Sequence, residues 1–163
     1  MNTMKPSPSH TQAEADRLIG YHAIAAAATL VIAPAALFDL AIVGGVQLNL
    51  LRCLAKLYKQ PFSEEIARSL VAALIGASLP GAAWGLLRFV PILGTAGASA
   101  SAGASTYAVG KVFVQHFESG GSFLTFDPEK VRDFYTREAA KKAARPEYGA
   151  DVTEDEDFGG IQP

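Results

Sequence analysis

Two long segments of the chain are almost entirely apolar, and each is interrupted near its middle by proline. The first extends from Leu18 to Leu51 and contains Pro34, and the second extends from Ser69 to Gly110 and contains Pro80 and Pro91. Proline lacks a backbone donor and disfavours helix at the preceding residue, so each segment is predicted to form two helices joined at a break. The pattern therefore predicts an all-α protein in which two proline-broken helical hairpins pack together.

The ends of these helices are indicated by capping residues and turns. Hairpin one is predicted over residues 12–59 and hairpin two over residues 63–117, with a turn at Gln60-Pro61-Phe62 between them. Thr11 and Glu14 fit a capping box, in which each side chain bonds a backbone N–H at the start of a helix. The first helix is therefore predicted to begin at Thr11.

The chain outside the hairpins is predicted to hold one more helix and two unstructured ends. Asp127-Pro128-Glu129 combines a capping side chain, proline at the first helical position and an acid in the first turn, which favours a short amphipathic helix over residues 127–145. A single helical domain is thus predicted over residues 12–145. Residues 1–11 are predicted to form a flexible arm, and the acidic residues 146–163 a disordered tail.

The stretch from Thr95 to Phe117 is dominated at its start by glycine, alanine and serine. Such a composition is typical either of a flexible linker or of a helix whose smooth face lets another helix approach closely. Tyr107 and the larger apolar residues after it continue at helical spacing, which favours the helix. Gly97, Gly103 and Gly110 are therefore predicted to be helix-packing positions.

Charged residues are almost absent from the two apolar segments. Thirteen of the 14 Lys and Arg residues lie outside them, and Asp39 and Arg88 are the only formally charged residues within them. If each segment folds back at its proline, those 13 cations fall on one side. This distribution is expected of a membrane protein whose termini and middle loop are cytoplasmic.

The lengths of the apolar helices argue against simple membrane spanning. Leu18–Ala33 would be about 24 Å long as a helix, whereas the hydrocarbon core of a bilayer is about 30 Å thick. Alanine-rich sequence also contributes little transfer free energy. The hairpins are therefore predicted to dip into the membrane or to lie closely against it, and a soluble bundle in the cytoplasm is the alternative.

Asp39 and Arg88 require a structural explanation, because a lone ion is costly in apolar surroundings. Asp39 follows Pro34 by five residues and Arg88 precedes Pro91 by three, so both lie near a predicted hairpin tip. We predict that the two side chains pair across the hairpins. The alternative is that each tip is hydrated.

Residues that could support catalysis or bind a cofactor form no recognised pattern in the sequence. Cys53 is the only cysteine, which excludes an intrachain disulfide and zinc sites built on several cysteines. His10, His22 and His116 lack partners at metal-ligand spacing, so satisfied or solvent-facing histidines are expected. P-loop and nucleophile-elbow motifs are absent from the sequence. We predict no enzymatic activity, cofactor or metal, and the formal net charge of −2 argues against nucleic-acid binding.

Five features taken together resemble a known bacterial family. They are Pro34, Asp39, Gln47, the Phe89–Gly94 turn and the Thr106–Gly110 stretch. From about residue 13 to residue 135 the chain resembles the domain of unknown function numbered 697. The resemblance implies a helical, membrane-associated module without established activity, which occurs alone or attached to Era-like GTPase domains. These 163 residues hold no GTPase domain, so the resemblance implies that any GTPase partner is a separate polypeptide.

Three functions are compatible with these features. The first is a membrane-associated accessory or scaffold protein, which embeds two hairpins among membrane lipids and presents the Arg52–Arg68 loop and the C-terminal helix to partners. The second is a soluble helical adaptor that forms a homo-oligomer through its small-residue helix. The third is a carrier that holds a small apolar ligand in a cleft between the hairpins.

Overall fold

The computed structural model describes residues 8–32, 36–78 and 95–144. These residues form five α-helices and one short 3₁₀ turn, without any strand, which confirms the predicted all-α class. The helices are α1 (Pro8–Ile32), α2 (Ala36–Leu57), α3 (Glu64–Ser78), α4 (Thr95–Glu118) and α5 (Pro128–Ala143), and the 3₁₀ turn is Phe123–Thr125.

The start of α1 differs from the sequence prediction. The helix begins at Pro8, so the predicted capping box at Thr11 is wrong and the predicted arm over residues 1–11 extends too far. Proline is well suited to the first position of a helix, because its fixed φ is already helical and the N–H that it lacks would have no partner there. Thr11 consequently lies inside the first turns of α1.

The start of α5 follows the capping pattern of the sequence. The Asp127 side chain accepts a hydrogen bond from the backbone N–H of Glu129 at 3.1 Å, and Pro128 occupies the first helical position. The helix ends at Ala143, two residues before the predicted boundary. Tyr135 is its buried residue, so α5 lies against the bundle as an amphipathic helix.

Helix α4 lies at the centre of the bundle. Its residues from Ala102 to Val114 are largely buried, and α1, α5 and α2 pack against it in decreasing order of contact. Small side chains on α1 and α4 allow the two backbones to approach closely, since they leave no ridge between them. The most extensive interhelical contact is therefore between α1 and α4.

The packing order refines the predicted hairpins. Helices α1 and α2 contact each other, as expected for hairpin one, but α1 contacts α4 more extensively. Helix α3 packs mainly against α5 and then against α2. Residues 33–35 and 79–94, which hold the prolines predicted to divide each hairpin, lie outside the described residues. We refer to the end of the bundle where α1 ends and α2 begins as the tip, and to the opposite end as the base.

A cluster of aromatic side chains closes the base. Phe113 is fully buried and its ring stacks on Phe126 with the centroids 4.4 Å apart. Phe117 and Phe123 contact the same ring, and Tyr58 packs on Phe117 at the end of α2. Because these rings come from α2, α4 and the connection to α5, they hold those three parts of the chain together at the base.

Candidate functional site

A small group of polar side chains interrupts the apolar interior where α2, α4 and α5 meet. The amide Nε2 of Gln47 donates to the hydroxyl of Ser105 at 3.3 Å and to that of Thr106 at 3.4 Å. The hydroxyls of Ser105 and Tyr135 are hydrogen-bonded to each other at 2.8 Å. Gln47 and Thr106 are fully buried. We call these four residues the interior polar cluster.

The interior polar cluster specifies how three helices are aligned. A polar group buried in an apolar interior is costly unless it is hydrogen-bonded. Gln47 can meet its partners only when α2 is in one register against α4, and Tyr135 sets α5 against the same point. Burial raises the pKa of Tyr135, and its hydrogen bond with Ser105 opposes that rise. The phenol is therefore neutral at physiological pH, and the cluster carries no ion.

The contact between α1 and α4 is closest at Gly110. A Cβ built on Gly110 would lie 2.6 Å from Cγ1 of Ile19, a side chain that is fully buried. Isoleucine has one strongly preferred rotamer in a helix, so it has little freedom to move aside. Gly110 thus lies directly against α1. Gly103 is also buried in α4, and Gly97 lies in the first turn of α4, where side-chain surroundings are outside the description.

An ion pair joins the same two helices beside this contact. The Lys111 ammonium lies 2.6 Å from the Asp16 carboxylate. Partial burial lowers the pKa of Lys111, but its hydrogen bond to the Asp16 carboxylate and the charges nearby raise that pKa by more, so the net shift is upward. Lys111 therefore remains charged throughout the physiological range. Its ammonium also lies 5.8 Å from the centre of the Tyr107 ring.

The side chains of His22 and His116 are both hydrogen-bonded. Nδ1–H of His22 donates to the carbonyl of Leu18 at 2.8 Å, which leaves Nε2 to accept from the Asn49 amide at 3.1 Å. Nε2–H of His116 donates to the carbonyl of Ser122 at 2.9 Å. These bonds agree with the expectation of satisfied histidines. His10 is exposed in the first turn of α1.

The described residues contain no group of three or more His, Cys, Asp or Glu side chains that could hold a metal ion. Depressions on the described surface include two that are lined largely by charged or polar side chains. One is lined by Tyr107, Glu138, Lys141 and Lys142, and the other by Glu64, Glu65, Arg68, Ser69 and Ala72.

The predicted pair of Asp39 and Arg88 falls largely outside the description. Asp39 lies in the second turn of α2, where side-chain surroundings are not described, and Arg88 lies in residues 79–94. Among the helices that the structure describes, none is both long and apolar enough to cross a membrane.

Sequence reasoning did not assign the interior polar cluster, although one signal for it was present. Gln47 is the only residue with a polar side chain between Leu40 and Leu48, and Ser105-Thr106 stands in the middle of a helix of small residues. A single amide in such a run indicates a polar partner elsewhere. The sequence does not indicate that Tyr135 bonds Ser105, because the direction of the turn between α4 and α5 depends on packing.

These features define a helical module whose interior is held together by side-chain packing and by hydrogen bonds between helices. The chain belongs to the family described as Domain of unknown function (DUF697), whose model matches residues 7–144, and this confirms the resemblance seen in the sequence.

One relative extends the comparison over almost the whole chain. Magnetosome membrane protein 22 of Magnetospirillum gryphiswaldense is 33% identical over 166 aligned positions, which cover 91% of this chain and 85% of the relative. No solved structure matches the chain significantly.

Proposed function

We propose that this protein is a non-enzymatic, membrane-associated helical module that serves as an accessory or scaffold for other proteins. The observation that carries the proposal is the similarity, over 91% of the chain, to a protein named as a magnetosome membrane protein. The family resemblance points the same way.

The position of charge along the helices supports contact with lipid at the tip. In α1 the charged residues end at Arg17, and in α4 they begin at Lys111, so the tip-side half of each helix carries none. We propose that the tip meets the bacterial inner membrane and that both termini are cytoplasmic, since cations are retained on that side. Trypsin added outside intact spheroplasts is then expected to leave the chain uncut, and cleavage at the base would contradict this orientation.

Membrane association can be tested by extraction. We expect the protein to sediment with cell membranes and to be released at least partly by alkaline carbonate, because it is proposed to lie against the bilayer and no described helix is both long and apolar enough to cross it. Recovery in the soluble fraction before any wash would remove the proposal. A cytoplasmic enzyme and a spanning membrane protein in the same preparation are the two controls.

The alternative of a soluble adaptor that self-associates through α4 has less support from the packing. The small residues of α4 from Ala102 to Ala104 and from Ala108 to Gly110 are buried within the same chain by α1, α2 and α5. A second copy could reach them only if those helices separated. Self-association through this stretch would therefore require the monomer to open.

We further propose that the module acts beside a separate GTPase, as the resemblance to modules attached to Era-like GTPase domains implies. The base presents charged side chains suited to a protein partner, including the Glu64 carboxylate with Arg52 at 3.3 Å and Arg68 at 3.0 Å. Purified protein is expected to bind an Era-like GTPase and to change its rate of GTP hydrolysis. An unchanged rate at saturating protein would contradict the partnership.

The pairing of Asp39 with Arg88 remains a proposal with a direct test. Asp39→Asn is expected to lower the free energy of unfolding by about 2 kcal/mol, because it would leave Arg88 without its ionic partner near the tip. Asp133→Asn, at an exposed carboxylate of α5, is the matched control and is expected to change little. A melting curve unchanged by Asp39→Asn would refute the pair, whereas recovery in the exchanged variant D39R/R88D would support it.

A further inference from the structure

The outward face of α1 changes from charged to apolar along its length. Its exposed stripe consists of Glu14, Arg17, Tyr21, Ile24 and Ala28, which follow one another at helical spacing. The first two carry charge and the last three do not. The change occurs within one turn, between Arg17 and Tyr21.

The outward face of α2 shows the same change in the opposite chain direction. Its exposed stripe contains Ile42, Gly45, Asn49, Arg52 and Lys56, and the cation Lys59 follows just beyond the helix. Chain direction is reversed between α1 and α2, so the apolar part of both stripes lies toward the tip and the cationic part toward the base.

A hydrogen bond between α1 and α2 shows that the change from charged to apolar surface occurs at the same height on both helices. His22 accepts from the Asn49 amide at 3.1 Å on the exposed seam between the helices, which fixes their relative heights. Counted from that bond at about 1.5 Å per residue, Arg17 lies about 7 Å toward the base and Arg52 about 4 Å toward the base. Ile42 lies about 10 Å toward the tip on the same scale. The seam at His22 and Asn49 therefore separates a cationic band from an apolar one.

The exposed apolar residues of α1 and α2 lie at this seam or on its tip side. Four large hydrophobic side chains are exposed in the described part of the chain, and Tyr21 (79%), Ile24 (57%) and Ile42 (38%) all belong to these two stripes. The fourth, Leu124 (80%), lies at the base. Three exposed apolar side chains on two contacting helices, with cations on the base side of them, form a patterned surface rather than scattered exposure.

We propose that this face of α1 and α2 lies on an anionic phospholipid surface, with the headgroups at the level of Tyr21 and Asn49. The inference rests on the proposed membrane association and assigns its face and depth. Tyrosine favours the boundary between water and lipid, and isoleucine favours the acyl chains. The ammonium and guanidinium groups at the base side are placed to meet headgroup phosphates.

The charges favour anionic lipid over a second copy of the chain. Arg17, Lys56 and Lys59 have no acidic partner among the described residues, and Glu14 is the only acid on the α1 stripe. Two copies joined in parallel through this face would bring like charges together. An anionic bilayer instead provides the opposite charge along the whole cationic band.

The depth of position 21 in the bilayer can be measured with a single tryptophan placed there in the full-length protein. In a Trp84→Phe background, Tyr21→Trp is expected to shift its emission to the blue and to be quenched by brominated acyl chains in vesicles of phosphatidylcholine and phosphatidylglycerol at 3:1. Leu124→Trp is the matched control, because Leu124 is as exposed as Tyr21 but lies at the base, and it is expected to show neither change. Quenching at position 124 without quenching at position 21 would overturn the assigned face.

The contribution of the cationic band to vesicle binding is measured separately, by vesicle sedimentation of variants that keep Trp84. Lys56→Gln and Lys59→Gln are each expected to weaken partitioning onto the 3:1 vesicles about fivefold and to have little effect with phosphatidylcholine alone. Arg137→Gln, which removes an exposed cation from α5, is the control and is expected to leave partitioning unchanged. Equal binding by all three variants would overturn the role of these cations.

The outcomes separate this inference from the proposed function. If the unaltered protein does not sediment with either type of vesicle, membrane association itself fails. If it sediments but quenching is seen only in the Leu124→Trp variant, association holds and the assigned face is wrong. If Tyr21→Asp dissociates a dimer in sedimentation velocity while vesicle binding is unchanged, the face belongs to a second copy.

Discussion

Gln47→Glu is expected to lower the free energy of unfolding by about 4 kcal/mol at neutral pH, although it replaces one atom with another of similar size. Gln47 is fully buried, and its amide nitrogen donates to the hydroxyls of Ser105 and Thr106. A carboxylate has no proton to donate, and no cation is among the partners of this cluster. The substitution therefore buries an uncompensated charge.

The loss of stability caused by Gln47→Glu should increase as the pH rises. Burial disfavours the ionised form, so the pKa of the introduced carboxyl will be higher in the folded protein than the value of about 4.3 in the unfolded chain. Below the unfolded value both states hold the proton and the penalty is absent. As the pH rises through the folded value the penalty grows to its full size. Chemical denaturation at several pH values between 4 and 8 measures this dependence.

Gln115→Glu is the matched control, because it makes the same chemical change at an exposed position of α4. Its effect is expected to stay below about 0.5 kcal/mol at every pH. The difference between the two variants isolates the buried site from the general acid sensitivity of the protein. A pH-independent difference, or none, would mean that water reaches the interior polar cluster.

Gly110→Val is expected to lower the free energy of unfolding by about 3 kcal/mol through overpacking between α1 and α4. The first added carbon would already lie 2.6 Å from Cγ1 of Ile19, and the two further methyl groups would enlarge the overlap. Ile19 is fully buried and rotationally restricted, so α1 itself would have to shift. Thermal or urea denaturation measures the loss.

Gly20→Val is the control for this effect. A Cβ at Gly20 would meet nothing within 4 Å, so the same substitution on α1 should change stability by less than about 0.5 kcal/mol. Ile19→Ala should partly rescue Gly110→Val, so that the double variant is more stable than the sum of the two single losses predicts. Strictly additive losses would contradict a direct contact between the two residues.

Gln47→Glu and Gly110→Val test two different contacts that α4 makes with its neighbouring helices. Gly110 determines how closely α1 approaches α4, and the interior polar cluster determines the register of α2 and α5 on the same helix. Ser105 and Thr106 lie in the tip-side half of α4, which carries no charge, whereas Gly110 lies in its base-side half beside the Asp16–Lys111 ion pair.

Much of the architecture followed from local patterns in the sequence. The small-residue helix from Thr95 and the capped start of α5 are consequences of backbone chemistry that acts within a few residues. The predicted break at Pro34 lies outside the described residues. The family resemblance rested on residues that could be seen in order along the chain, and the family match confirms it. The start of α1 was predicted wrongly because a proline was taken for part of an arm when it could also begin a helix.

Local patterns along the chain thus predicted the helical class, and the separation of charge can be read directly from the sequence. The packing of α1 chiefly on α4 is visible only in the folded chain. The same holds for the hydrogen bonds that join Gln47 to Ser105 and Ser105 to Tyr135. It holds also for the bond between His22 and Asn49, which aligns the change from charged to apolar surface on α1 and α2. Helix ends can be predicted because they depend on residues close by in the sequence, whereas these hydrogen bonds join residues that are 27 to 59 positions apart. Their formation depends on the volumes and directions of all the side chains between the helices.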